Sequence, residues 1–204
     1  EEFLSKYPNS PWKLSLLNIL GDFYYRTGQY SKTIDAYQRA WEAGKLAEEG
    51  DSKMLADQAF GRLAMMQSQS GEDETLGTLL GEVEGREFLG AATEWVRNAR
   101  ESYWRMTNDP GTAFLCGPLA LASIRRELGV EDAYAETLTT PRTDGRGFRM
   151  SELSQFADSL GMDYEIIRAG ENFQLTEQML PAVVHWEVDH YAAVLRKEGD
   201  LDQV

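Results

Sequence analysis

The segment 114–121, Phe-Leu-Cys-Gly-Pro-Leu-Ala-Leu, most constrains the fold, because it starts a helix at the only cysteine of the chain. Proline suits the first position of a helix, where its missing N–H has no partner to lose. Leu119, Ala122 and Leu128 then recur at helical spacing. We therefore expect a helix that begins just after Cys116 and stops at Gly129.

The thiol of Cys116 has two interpretations at this position. Unpaired N–H groups and the positive end of the helix dipole favour a thiolate, which is the form that a nucleophilic cysteine needs. A lone cysteine is also commonly a small buried apolar residue. This segment alone leaves both interpretations open, so the rest of the chain must decide between them.

Composition divides the 204 residues into two parts. The first hundred residues are rich in Leu, Ala, Glu, Gln and Lys and contain two prolines, whereas the remainder brings Thr, Gly, Pro and short β-branched runs. We predict an α+β protein with a helical domain over residues 1–106 and a mixed domain over residues 107–204.

The charge and the cysteine count exclude several kinds of partner. A formal net charge of −14 disfavours nucleic acid and anionic membrane surfaces, which bind basic patches, and it would attract a cationic peptide. One cysteine excludes an internal disulfide, which slightly favours a reducing cytoplasm. No apolar run reaches about 18 residues, so we expect no membrane insertion, although the chain could belong to a longer protein.

The apolar and small residues of segment 11–45 fall in a recognisable order, which runs Leu17, Leu20, Gly21, Tyr24, Gly28, Tyr37, Ala40. This order resembles the tetratricopeptide pattern, in which two antiparallel helices pack through small-against-large contacts. Leu17, Thr33 and Lys45 depart from it, since the family favours Trp, Ala and Pro there. The cap at Ser10-Pro11 and the turn over 26–29 predict helices over 11–26 and 31–43. The resemblance implies that these helices bind a protein partner.

Further helices are expected over 52–69, 72–84 and 87–106, and the last of them would close the stack. In the second domain, a short helix should begin at Met150, with Ser151 as its cap, and end before Gly161. Apolar, β-branched runs predict strands over 164–167, 181–186 and 190–195, with a turn over 187–189. The last two strands are apolar on both faces, so we expect them to be central in a sheet.

Three ordered segments carry a second resemblance. They read Cys-Gly-Pro-x-Ala-Leu from Cys116, Met-Ser-Glu-Leu-x-x-x-Ala-x-x-Leu-Gly from Met150, and Pro-Ala-Val-Val-His-Trp followed by His-Tyr-Ala-Ala-Val-Leu. This order is similar to that of the double-glycine leader peptidases, the papain-like cysteine peptidases of bacterial bacteriocin-exporting ABC transporters. The resemblance covers roughly residue 107 to the end and implies a papain-like fold acting on a peptide or protein substrate.

The same resemblance implies the roles of individual residues. Cys116 would be the nucleophile, and His190 would be the general base that takes the thiol proton and later protonates the leaving amine. His185 lies in an otherwise apolar run and is interpreted as a core or pocket-wall residue rather than as a second base. One cysteine and two histidines without close ligand pairs do not make a tetrahedral zinc site, so we expect neither a metal nor a cofactor.

Two positions depart from the family pattern. The family has an oxyanion-hole Gln six residues before the cysteine, where this chain has Pro110, which offers no donor. Asn108 could supply the hydrogen bond instead, beside the backbone N–H of Cys116. Loss of one such donor typically costs about 100- to 1,000-fold in rate.

The second departure concerns the acid that would orient His190. If the chain turns back at Glu198-Gly199-Asp200, Asp202 lies beside Leu195 or Arg196, about 17 Å from His190 at about 3.4 Å per residue. We expect the orienting acid to lie beyond Val204, near position 207 or 208 by the same spacing, unless the protein does without one.

Two other functions remain open on the sequence alone. The second domain could be a catalytically inactive peptidase-like module that binds a peptide or protein segment, with the helical repeats as an interaction scaffold. Alternatively, the helical half could recruit a partner while the second domain is structural, in which case Cys116 would be buried and inert.

Overall fold

A computed structural model describes residues 1–138, 147–170, 173–186, 190–198 and 201–203. The chain divides into two compact units, Glu1–Trp104 and Arg105–Val204. Helices dominate the fold, and the strands form small antiparallel pairs, which is compatible with an α+β protein. In the described part of the chain, no helix combines the length and the apolar character needed to cross a membrane.

Helices build the first unit. They are α1 (Glu2–Lys6), α2 (Lys13–Arg26), α3 (Tyr30–Gly44), α4 (Gly50–Ser70), α5 (Asp73–Gly81) and α6 (Ala91–Asn108), whose last turn belongs to the second unit. Each helix predicted here is present with shifted ends, and α1 was not predicted. Helix α2 begins two residues after Pro11, because the N–H of Trp12 bonds to Ser10 Oγ in a preceding turn.

A glycine allows α2 and α3 to approach closely. A methyl group added at Gly21 would lie 2.5 Å from Tyr37 Cε1, so the tyrosine ring occupies the space of the missing side chain. The Tyr37 hydroxyl donates a hydrogen bond of 2.6 Å to Asp22 Oδ1. Burial, together with this carboxylate, raises the pKa of Tyr37 above its ordinary value. The contact is of the small-against-large kind that the sequence predicts between the first two helices of a repeat.

A buried carboxylate links α4 to the segments that follow α3 and α5. Asp57 accepts hydrogen bonds from Lys53 Nζ at 2.5 Å and from Arg86 Nε at 2.7 Å. Arg86 also donates to the carbonyls of Lys45 and Ala47. Because the charge of Asp57 is paired, its burial is tolerated.

The second unit carries helices and two strand pairs. Its elements are α7 (Pro110–Ala113), α8 (Cys116–Glu127), α9 (Ala133–Leu138), α10 (Met150–Ser159), a short 3-10 helix (Glu177–Met179), β1 (Ala182–Trp186), β2 (His190–Val194), β3 (Arg196–Glu198) and β4 (Leu201–Gln203). Strand β1 pairs antiparallel with β2, and β3 pairs antiparallel with β4. Residues of α8, α10 and β2 form one core, made of Ala120, Leu121, Ile124, Leu153, Ala157, Tyr191 and Ala193.

The structure corrects the prediction for α8. The helix begins at Cys116 itself, so Pro118 lies in its first turn rather than at its first position. Leu119 and Leu128 are exposed, at 41% and 66%. Ala122, the third residue of the predicted spacing, is buried. The other buried residues are Ala120, Leu121 and Ile124, which share a core with β2 and α10. Helical spacing identified the helix but only one residue of the face that packs.

Two strand predictions are also wrong. Residues 164–167 are exposed and join no strand within the described residues, because Tyr164 is held on α10 by hydrogen bonds between its hydroxyl and Ser154 O and Asp158 Oδ1. Neither β1 nor β2 is central where the structure describes the sheet, because the two strands pair only with each other. The last two residues of β1 are exposed.

Three smaller details differ or fall outside the described residues. Ser151 is not the cap of α10, since Arg149 precedes the helix and its N–H donates to Glu152 Oε2. Asp202 pairs with Lys197, whereas Leu195 or Arg196 was expected as its partner. The predicted turn over 187–189 and Asp200 lie outside the described residues.

Candidate active site

Cys116 is the first residue of α8. The first N–H groups of a helix have no acceptor within it, and the helix dipole is positive there, so this position can stabilise a thiolate or an oxyanion. The side chain is half-buried and borders the core of the second unit. The thiol is thus neither sealed in the interior nor fully exposed.

Gly117 brings β2 and α10 against the start of α8. A methyl group added at Gly117 would lie 3.1 Å from Leu153 Cδ1 and 3.3 Å from Tyr191 Cδ2. Both side chains therefore pack on the backbone of the residue that follows Cys116. A methyl group at position 117 would therefore push the Leu153 or Tyr191 side chain away by a few tenths of an ångström.

Both histidines of the chain lie at one end of the β1–β2 pair. His190 pairs with Trp186 across the strands, and their rings are 5.9 Å apart. His185 pairs with Tyr191, and these two rings stack at 4.3 Å with an interplanar angle of 26°. Since neighbouring side chains of a strand leave opposite faces, Tyr191 faces the α8 core while His190 lies on the face of Trp186.

The environment of His190 favours the neutral imidazole. Burial lowers the pKa of His190 below its ordinary value of 6.5, and the nearby His185 lowers it further. Near pH 7 the ring is therefore unprotonated and can accept a proton. This is the protonation state that a general base requires.

The structure brings the segments of Cys116 and His190 together without joining the two side chains. Tyr191 follows His190 and contacts Gly117, which follows Cys116. Within the described residues, Cys116 Sγ and the His190 ring do not form a hydrogen bond. The thiol–imidazole contact that a catalytic pair needs is absent from this arrangement.

The predicted oxyanion donor, Asn108, bonds to its neighbour in the chain. Asn108 is the exposed last residue of α6, and its amide donates a hydrogen bond of 2.9 Å to Thr107 Oγ1. Pro110, which occupies the position of the family's Gln, is the first residue of α7. The described contacts of Asn108 thus do not place its amide at Cys116.

Sequence reasoning missed the contact between Gly117 and Tyr191. A signal was present, because glycine weakens a helix relative to alanine and often marks a close approach of another element. The sequence could not say which residue approaches. The aromatic ring after His190 became identifiable only when β2 was placed against α8.

Residues 114–201 match the sequence model of the Peptidase C39 family. The match begins two residues before Cys116, extends past His190, and does not reach the first unit. Neither curated proteins nor solved structures gave a significant match to the chain. The second unit thus contains a cysteine peptidase-like domain, similar over residues 114–201 to the Peptidase C39 family.

Proposed function

We propose that this protein is a papain-like cysteine peptidase of the double-glycine leader peptidase kind, with a tetratricopeptide-like module over residues 1–106 and the peptidase domain over residues 107–204. The observation that carries the proposal is the family match over residues 114–201, in which Cys116 begins a helix packed on the strand that starts with His190. The substrate is a peptide or protein segment, and the acidic chain favours a cationic one.

The reaction would proceed through a thioester. The His190 imidazole takes the proton of Cys116 Sγ, and the thiolate attacks the carbonyl carbon of the scissile bond. The resulting oxyanion accepts hydrogen bonds from the backbone N–H of Cys116 and from the Asn108 amide. The imidazolium then protonates the leaving amine, and water hydrolyses the thioester with the imidazole again acting as base.

The neutral imidazole of His190 supports the role of base, as does the position of Cys116 at a helix N-terminus. The absent thiol–imidazole hydrogen bond does not exclude catalysis, because such bonds are often long or misaligned until substrate binds. Substrate would have to bring the His190 ring within hydrogen-bond reach of Sγ.

The helical module would serve as a scaffold for a protein partner. The packing of Tyr37 on Gly21 supports a tetratricopeptide-like arrangement of α2 and α3, since such repeats pack small residues against large ones. Repeats of this kind commonly present a surface for an extended peptide.

A second function is favoured by two observations. Pro110 removes the family's side-chain donor, and the His190 ring shares a face with Trp186 rather than bonding to Cys116. Both features fit a catalytically inactive module that binds the peptide segment without cleaving it. The two functions differ in whether the thiol is activated and whether the peptide is turned over.

Alkylation of Cys116 with iodoacetamide as a function of pH tests the proposal, since this is the only thiol in the chain. We expect a midpoint below the ordinary thiol pKa of about 8.5, and we expect His190→Ala to raise it. Peptide cleavage is measured in parallel, with Cys116→Ala as the blank.

A midpoint at or above the ordinary thiol value, unchanged in His190→Ala, would identify Cys116 as a structural residue and reject the peptidase. An activated thiol without cleavage would favour the binding module.

A further inference from the structure

The Tyr191 ring is enclosed by residues that lie beside the proposed catalytic pair. The side chain is buried, at 4% exposure, and belongs to the core shared by α8, α10 and β2. Its Cδ2 atom lies 3.3 Å from the point where a Cβ of Gly117 would stand. The His185 ring stacks on it at 4.3 Å. The ring therefore has defined partners on both α8 and β1.

Each member of the Gly117–Tyr191 contact is one residue from a proposed catalytic residue. Gly117 follows Cys116 and Tyr191 follows His190, and one residue advances the backbone by about 3.8 Å. The thickness of the aromatic ring consequently sets how closely the first residue of β2 approaches the first turn of α8. Because the core is closely packed and Leu153 lies on the same glycine, the contact cannot shorten or lengthen without moving Leu153. The exposed His185 ring stacks on Tyr191 from the end of β1.

We propose that Tyr191 is a positioning residue for the Cys116–His190 pair: its ring, held between Gly117 and His185, sets the separation between the nucleophile's helix and the histidine's strand. This inference rests on the proposed function and adds to it the residue that determines the geometry. A residue with a purely structural role would change stability but leave the coupling between the thiol and the imidazole intact.

Two substitutions test the ring directly. Tyr191→Phe keeps the ring that contacts Gly117 and His185, whereas Tyr191→Leu removes it and keeps an apolar side chain. Gly117→Ala provides an independent test from the other side, because its methyl group would press on Tyr191 and Leu153. Ile124→Val is the matched structural control, since it trims the same core two turns further along α8.

The readouts are the pH midpoint of Cys116 alkylation, with and without His190→Ala, and the kcat and KM of peptide cleavage. Each variant is first checked for folding by circular dichroism and thermal unfolding. We expect Tyr191→Phe and Ile124→Val to keep the wild-type midpoint. Tyr191→Leu should move the alkylation midpoint towards the value found in His190→Ala. It should also lower kcat by about 10- to 100-fold with little change in KM, because misplacing reacting groups by about 1 Å has an effect of this size. Gly117→Ala should also move the alkylation midpoint towards that of His190→Ala and lower kcat.

The outcomes separate the two proposals. If Cys116 is alkylated with the same pH midpoint in His190→Ala as in the wild type, the proposed catalytic pair is wrong. The positioning role is then wrong as well. If His190→Ala raises the midpoint but folded Tyr191→Leu behaves like Ile124→Val, only the positioning role is overturned. Should Tyr191→Leu not fold, Gly117→Ala decides, and a wild-type midpoint in that variant overturns the inference.

Discussion

The Tyr191 ring packs on the backbone of Gly117, with Cδ2 3.3 Å from where a Cβ would stand. These two residues directly follow His190 and Cys116, so the strand of the proposed base and the helix of the proposed nucleophile meet one residue beyond both side chains. Glycine favours this close approach, because a methyl group there would crowd the ring and Leu153 until they shifted by a few tenths of an ångström. The contact between Tyr191 and Gly117 therefore affects how closely β2 lies to the start of α8 at the candidate site.

The pKa of His190 should rise when His185 is replaced by Ala. Burial is the main cause of the lowered pKa and the charge of His185 is the second, so the substitution removes one cause and leaves the other. The value in His185→Ala should lie above that of the wild type and still below the ordinary 6.5. Titration of the imidazole C2–H signals by NMR measures it, and His190→Ala assigns the two signals. A lower pKa of His190 in His185→Ala than in the wild type would contradict the expected repulsion between the two imidazolium charges.

The helical unit should lose stability at alkaline pH through Tyr37. Burial and the bond to Asp22 raise the folded-state pKa above the ordinary value of 10.0. The unfolded chain then releases this proton at lower pH than the folded chain, so the stability is complete below about pH 10 and falls as the pH rises above it. Urea unfolding between pH 8 and 11 measures the loss. The free energy of unfolding should fall less steeply with pH in Tyr37→Phe than in the wild type. An equal slope in both proteins would exclude Tyr37 as the source of the loss.

Gly21→Ala should destabilise the first unit, whereas Gly81→Ala should not. A methyl group at Gly21 would stand 2.5 Å from the Tyr37 ring, and such overpacking costs about 1 to 3 kcal/mol. Gly81 ends α5 with no atom within 4 Å of its added methyl group, so alanine there is neutral or gains up to about 1 kcal/mol from helix propensity. Chemical unfolding of both variants gives the comparison. Equal stabilities would mean that α2 and α3 can separate without cost.

Asp57→Ala should cost far more stability than Asp35→Ala. Asp57 is buried with Lys53 and Arg86, and removing one partner of a buried ion pair typically costs about 3 to 5 kcal/mol. Asp35 pairs with Arg39 at the surface, where such pairs contribute about 0 to 1 kcal/mol. The free energy of unfolding of the two variants tests this difference. A small loss in Asp57→Ala would show that solvent reaches Lys53 and Arg86 once the carboxylate is gone.

Local patterns were sufficient for the longer helices and for the peptidase-like part of the chain, although the short helices α1, α7 and α9 were not predicted. Helical spacing and turn residues located α2 to α6, and the Cys-Gly-Pro segment located α8 to within one residue. The continuous apolar, β-branched runs located β1 and β2 to within one residue at each end. The ordered motifs were enough to indicate the family that matches residues 114–201. These features depend on residues close together in sequence, which share one helix face or one strand.

The tertiary structure alone decided the pairings. The run 164–167 has strand composition, but a strand exists only where another strand offers its backbone, and Tyr164 is held on α10 instead. Leu119 and Leu128 have the spacing of a helix face, but the face that packs is the one that meets Tyr191 and Leu153. The sequence by itself determined which residues could form each element and which side chains are candidates for the chemistry. The face of β2 that meets α8, and with it the direction of the His190 ring, depends on contacts between residues more than 70 positions apart, such as Gly117 and Tyr191, which no local pattern contains.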